Sequence, residues 1–349
     1  MRIREMFFVA GFLLVATGCG SDGADDAATT AAPNTTALPA ADSTAAPNTT
    51  ALPAAALPES LSIMAPADPG GGWDGTARAM QTALDPLLDG SVDVYNVPGA
   101  GGTVGLAQFK DSSGSGSDLM VMGSVMVGAI LTNDSPVTLE DVTPIASLTT
   151  EYLAIVVPAS SPFQTIDDLI AAFVADPTAV SWAGGSAGGT DHQLVALIAK
   201  NQGVPAGSIN FIAHSGGGEA LASLLSGAVS AGVSGLSEFR DQVDAGALRL
   251  LAVSSSERID GADVPTLIES GIDVELSNWR GVVAPAEISD ADRMALLAAI
   301  EQMTATDEWV AELEAKGWTS FYQSGDEFAA FLGEYSETVK VVLAEIGLL

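Results

Sequence analysis

Four glycine-rich turns hold the residues best suited to grip a small ligand: Gly70 to Gly72, Gly99 to Gly102, Gly184 to Gly189 and Gly216 to Gly218. Each stands where a strand-like stretch gives way to a helix-like one. Glycine at such a junction lets a ligand approach the backbone with no Cβ in the way. The first N–H groups of the following helix point at the same spot, and the helix dipole adds partial positive charge there. A turn of this kind holds an anion such as a carboxylate without any arginine. In open α/β sheets ligands sit beyond the carboxyl ends of the strands, so four such turns, two in each half of the chain, predict one shared cleft.

Other chemistry is poorly provided for. Residues 184–188 read Gly-Gly-Ser-Ala-Gly and match the G-x-S-x-G elbow of esterases. That arrangement needs an acid and then a histidine later in the chain, and the two histidines present, His192 and His214, follow Ser186 too closely. Residues 99–105 fall one place short of a dinucleotide-binding fingerprint. Two histidines and a lone cysteine make no metal-ligand cluster. The expectation is a protein that is not an enzyme and uses no cofactor and no metal.

The 349 residues are 48% hydrophobic but only 6% aromatic, so the core is aliphatic. Lys and Arg number 12 against 44 Asp and Glu, a formal charge of −32. Nucleic acid and anionic membrane surfaces need a basic footprint and are excluded as partners. Any anion site must be local and built from amide dipoles. Arg78 and Arg280 are the basic residues nearest in sequence to the turns or to a hinge.

Arg2 and Arg4 precede an apolar run, residues 6–18, too short to span a bilayer. It ends at Cys19, the sole cysteine, and Ala16-Thr17-Gly18-Cys19 looks like a lipobox. Residues 1–18 are therefore expected to be a removed signal peptide and Cys19 a lipidated anchor on an extracytoplasmic protein. Residues 19–59 read as a disordered Ala/Thr/Pro tether, in which AAPNTTALPAA at 31–41 recurs at 45–55.

From Leu61 onward strand-like segments (61–67, 92–97, 118–124, 152–158, 179–185, 209–214, 230–235, 248–254) alternate with helical ones, and helices dominate after 289. The alternation predicts an α/β fold with parallel sheets covered on both faces.

The motifs PADPGGGWDGTAR, NVPGAGGTVG, PVTLEDVTPIASLTTEYLAIVV, WAGGSAGGTDHQLVALIAKNQGV, HSGGGEALASLLSGAVSAGVSGLSEF and WRGVVAPAEIS occur in this order. Together they resemble the substrate-binding proteins of tripartite tricarboxylate transporters, the Bug-type receptors, across residues 60–349. The resemblance implies a two-domain periplasmic-binding-protein-like (type II) fold with the cleft between its domains. Residues 60–153 plus 280–349 would form the first and 154–279 the second, with hinges at 152–156 and 278–282. It implies capture of a small dicarboxylate or tricarboxylate such as citrate, and two integral-membrane transporter subunits as partners. By matching position, the ligand contacts fall on Gly70, Gly71, Gly72, Asp74, Gly101, Gly102, Ser124, Ser186, Gly188, Gly189, Thr190, His192, His214, Ser215 and Gly216. Within that set, Asp74 reads as a cap of the first helix rather than a ligand contact, since an Asp repels a carboxylate. A receptor for aromatic acids or amino acids, or a sensing lobe for a signalling partner, shares the same sequence features.

Overall fold

The computed structural model describes residues 56–349; the leader, Cys19 and the duplicated tether up to residue 55 lie outside them. Ten strands form a sheet in the order β2-β1-β3-β9-β4-β7-β5-β6, with β8 and β10 also pairing β4. The strands are β1 (Leu61–Ala65), β2 (Val92–Asn96), β3 (Asp118–Gly123), β4 (Val142–Pro158), β5 (Ser181–Gly184), β6 (Asn210–Ala213), β7 (Ala231–Gly235), β8 (Leu248–Val253), β9 (Ser277–Pro285) and β10 (Thr319–Ser324). The helices are α1 (Gly72–Leu84), α2 (Thr103–Phe109), α3 (Ser124–Thr132), α4 (Ile166–Ala175), α5 (Thr190–Asn201), α6 (Gly217–Leu225), α7 (Leu236–Asp244), α8 (Asp290–Thr304), α9 (Asp307–Lys316) and α10 (Asp326–Glu345).

The expected α/β class holds, but the sheet is mixed where parallel pairing was expected. β1 runs parallel to β2 and β3, and β5 parallel to β6 and β7. The middle is antiparallel: β4 pairs β9, β10, β7 and β8 in that sense, and β3 pairs β9. The reason is β4. It runs 17 residues, its first stretch to Tyr152 pairing β9 and its remainder from Leu153 pairing β7 and β8. The first stretch was missed in the sequence because Ser147, Thr149, Thr150 and Glu151 look like solvent-facing residues. All four are buried. Ser147 Oγ donates to the Phe321 carbonyl and accepts from the Gln323 N–H, which joins β4 to β10. A buried polar side chain with such partners is tolerated in a strand core.

Local signals for the helices are plain. Thr165 caps α4 in a full capping box with Asp168, and Ser289 and Thr306 cap α8 and α9 through Oγ bonds to the third residue on. α3 was missed because it is apolar almost all round (SVMVGAILT), as a helix wholly inside a fold is. Trp279 on β9 anchors the carboxyl-terminal helix: its ring lies edge-on to Phe328, Phe331 and Tyr335 of α10 at 5.9, 5.2 and 5.3 Å.

Candidate functional site

Two helix N-termini and one loop enclose a cavity of about 50 Å³. Gly71 and Gly72 open α1, Gly216 and Gly217 open α6, and Gly185 with Ser186 precede α5; all six line the cavity. Neither Gly71 nor Gly216 supplies a side-chain cap, so the first N–H groups of both helices lack the partner a Ser or Asp would provide. Trp73 forms one wall and is 8% exposed.

Packed directly against these glycines lies an ionic cluster. Arg280 on β9 is 1% exposed and pairs through Nη2 with Glu151 Oε1 of β4, while Glu238 Oε1 of α7 stands 3.7 Å from the same nitrogen. Glu151 Oε2 accepts from the N–H and Oγ–H of Ser237, and Ser237 Oγ accepts from Trp318 Nε1 at 3.1 Å. The guanidinium carbon sits 5.1 Å from the centre of the Trp318 ring. Arg280 is thus held by β4, α7 and the indole at once, yet its Nη1 has no hydrogen-bond partner, nor has Glu238 Oε2. Arg280, Glu238 and Asp191 all line the cavity.

Burial pushes Glu238 up to about 8, with Arg280 pulling the other way and Glu151 and Asp191 adding to the rise. Burial likewise pushes Asp191 up to about 7, although the Gly185 N–H donates to its Oδ2 at 2.7 Å. Two of the glycines are explained by this cluster. A Cβ on Gly72 would collide with the Arg280 guanidinium, and one on Gly217 would overlap the Glu238 carboxylate.

The residues expected at the site separate into two groups. Gly71, Gly72, Ser186, Ser215 and Gly216 line the cavity. Ser124 and Thr190, first residues of α3 and α5, share a hydrogen bond of 2.8 Å, and Ser124 donates to Asn278 Oδ1 at 2.6 Å; Asn278 in turn lines the cavity. The others hold the walls. Gly70 donates its N–H to Asp74, which also accepts from Asn96 and Arg78. Burial works to raise the Asp74 pKa, but the bonds from Arg78, Gly70 and Asn96 outweigh it and hold it below the usual carboxylate range. Asp74 is not the cap expected of it, since Gly71 holds that position with no side-chain bond; from inside the first turn of α1 it reaches back to fix the Gly70 turn.

Gly101 and Gly102 adopt the left-handed region (φ 64° and 86°), and a Cβ on Gly101 would strike Ala129. Gly188 donates to His192 Nδ1 at 3.1 Å and leaves no room for a side chain beside Thr132; Gly189 caps α5. His192 stacks on Phe211 with ring centres 4.2 Å apart, and burial lowers it to about 4, so it is neutral at pH 7. His214 Nδ1 donates to the Gly184 carbonyl and its Nε2 meets Ser223 Oγ at 2.7 Å. Both rings are engaged within their own half of the sheet. Glu238 and Asp191 escaped the sequence reading, and Asn278 entered it only as one end of a hinge. Glu238 looks like any charge on a helix, and Arg280 had a signal only as a rare cation amid the apolar residues of β9.

Helix N-termini facing a small cavity, beside a mixed sheet through which one long strand serves both ends, make a site suited to a small anion. The tripartite tricarboxylate transporter family receptor profile, TctC, matches residues 76–348, and the chain belongs to that family of receptors. Protein BugT of Bordetella pertussis (strain Tohama I) is 29% identical over 293 residues, covering 82% of this chain and 89% of BugT. Two solved structures share the fold. Rpa4515 of R. palustris with adipate superposes with a TM-score of 0.75 at 20% identity, over 82% of this chain and 97% of the other. MatC (Rpa3494) of Rhodopseudomonas palustris with bound malate gives 0.72 at 19% identity, over 82% and 98%. Among the described residues no helix is long and apolar enough to cross a membrane.

Proposed function

We propose that this receptor captures a small dicarboxylate or tricarboxylate outside the cytoplasm and delivers it to two integral-membrane transporter subunits. The observation that carries the reading is the cavity wall. Uncapped N-termini of α1 and α6 face a cavity that is also lined by Arg280, whose buried Nη1 has no hydrogen-bond partner. Amide dipoles and one buried guanidinium supply the local positive potential that a chain of charge −32 lacks overall. The malate and adipate in the two structural neighbours support the ligand class. In the expected division, residues 60–153 with 280–349 and residues 154–279 close on the ligand as separate lobes. The change of partners along β4 between Tyr152 and Leu153 supports that boundary.

A thermal-shift series with malate, adipate, citrate, aromatic acids and amino acids tests the ligand class. A carboxylate at about a hundred times its Kd stabilises the folded state by roughly 2.7 kcal/mol, which raises Tm by roughly 4 °C in a chain of this size. Equal responses to all compounds, or a response confined to amino acids or aromatic acids, would sink it.

Anchoring is proposed through a lipid on Cys19 after removal of residues 1–18. Cys19→Ala should move the protein from the membrane fraction to the soluble one while its melting temperature stays the same. Mass spectrometry finding an unmodified Cys19 in the native host would refute the anchor.

A further inference from the structure

The cavity presents a conflict of charge. Arg280 is the cation at its wall, and three carboxylates from three elements stand around it: Glu151 of β4, Glu238 of α7 and Asp191 of α5. Glu151 is already satisfied by Arg280 and by Ser237. Asp191 is 6% exposed and accepts the Gly185 N–H. Glu238 differs from both. Its nearest cation is 3.7 Å away, its Oε2 is buried with no hydrogen-bond partner, and the side chain, 13% exposed, lines the cavity. Gly217 leaves no gap behind it, since even a Cβ there would overlap the carboxylate. An ionised ligand carboxylate brought to Arg280 Nη1 adds a fourth negative group to a water-poor pocket. Two carboxylates sharing such a space do not both stay ionised.

We propose that Glu238 holds the captured carboxylate as a carboxylic acid, donating Oε2–H to a ligand oxygen, so that capture takes up one proton from the medium. The balance is simple: ionised Glu238, one solvent proton and one ligand carboxylate give an acid–carboxylate pair, with no covalent bond in the ligand made or broken. Glu238 is thus a specificity-determining residue. It accepts an anionic group beside Arg280 and turns away a ligand that presents the same face without an acceptor oxygen. This inference rests on the carboxylate reading above. Burial acts most strongly on Glu238, Arg280 and a hydrogen bond from Ser234 pull it down, and Glu151 and Asp191 push it up. Its rise to about 8 places the effect in the mildly alkaline range.

The sign follows from linkage. Below pH 7 the free receptor already carries the proton and takes up little. Above pH 8 it must acquire it, so affinity falls with rising pH, roughly tenfold between pH 7 and pH 9. At pH 8.5 uptake on binding is roughly three quarters of a proton. Malate, adipate and citrate are fully ionised at that pH, so the proton is not theirs.

The experiment is titration calorimetry at pH 8.5 with malate, adipate and citrate in two buffers of different ionisation enthalpy, with carboxyl NMR of the free protein beside it. Wild type should show uptake, and a glutamate carboxyl near pH 8 that is missing from Glu238→Gln. Glu238→Gln, which offers a donor at every pH, should show no uptake and an affinity that no longer falls from pH 7 to 9. Proton release, no exchange, or uptake that persists in Glu238→Gln overturns the proposal while leaving carboxylate capture intact. A Glu238 that titrates in the ordinary carboxylate range overturns it with or without a ligand. Failure of all three acids to bind overturns the carboxylate reading, and this inference with it.

Discussion

Arg280→Ala should destabilise the protein by about 3–5 kcal/mol at pH 8, the range for breaking a buried ion pair by removing one partner. Arg280 is 1% exposed, and its loss leaves Glu151 and Glu238 facing one another with no cation between them. The indole of Trp318 would also lose the group that covers it. The effect is expected to depend on pH in a defined direction. Burial raises Glu238 from 4.5 to about 8, so the folded state binds this proton more tightly than the unfolded chain does. Its contribution to stability is present in full below pH 4.5 and is lost as pH rises through 8. With Arg280 gone, a protonated Glu238 removes part of the repulsion, so the cost should shrink between pH 8 and pH 5. Urea denaturation of wild type and Arg280→Ala at both pH values measures this. A cost that is equal at both, or larger at pH 5, would show that charge in the cluster is not what Arg280 balances.

Trp279→Ala should cost about 3–5 kcal/mol as well, but for a different reason and with no pH dependence. The ring is 2% exposed and fills the space between β9 and the aromatic residues of α10. Alanine leaves a cavity lined by Phe328, Phe331 and Tyr335 that their rings cannot fill without leaving the helix face. Trp279→Phe, which keeps an aromatic plane there, should lose less than half as much. The two substitutions compared by urea midpoint separate packing from backbone effects. Equal losses would mean that the edge-on ring contacts contribute little.

The elements with a clean period or a cap were legible in the sequence. α1, α5, α8 and α10 carry amphipathic spacing or a Ser cap, and β1 and β3 are short apolar runs. The failures share a cause: the residue's surroundings come from distant parts of the chain. Ser147 and Glu151 look exposed until β10 and Arg280 are brought against them from more than a hundred residues away. The glycine turns were legible as turns. Their detailed reasons were not, because the steric partner of Gly72 is Arg280 and that of Gly217 is Glu238. Periodicity and turn chemistry are local, whereas a buried charge cluster is assembled by topology. The glycine turns were therefore readable and the ionic cluster packed against them was not.

The two sets of partners along β4 also favour an order of assembly. Its later stretch, from Leu153, finds β7 and β8 roughly 80–100 residues on, whereas its earlier stretch waits for β9 and β10, roughly 125–180 residues on. Loop closure costs more for the longer span, and a chain that emerges amino end first meets the nearer partners sooner. The part of the sheet built on β5 to β8 can close while the part that begins at Leu61 is still open. The first strand made thus belongs to the last region finished, and residues 319–324 are the piece that completes a sheet begun with β1.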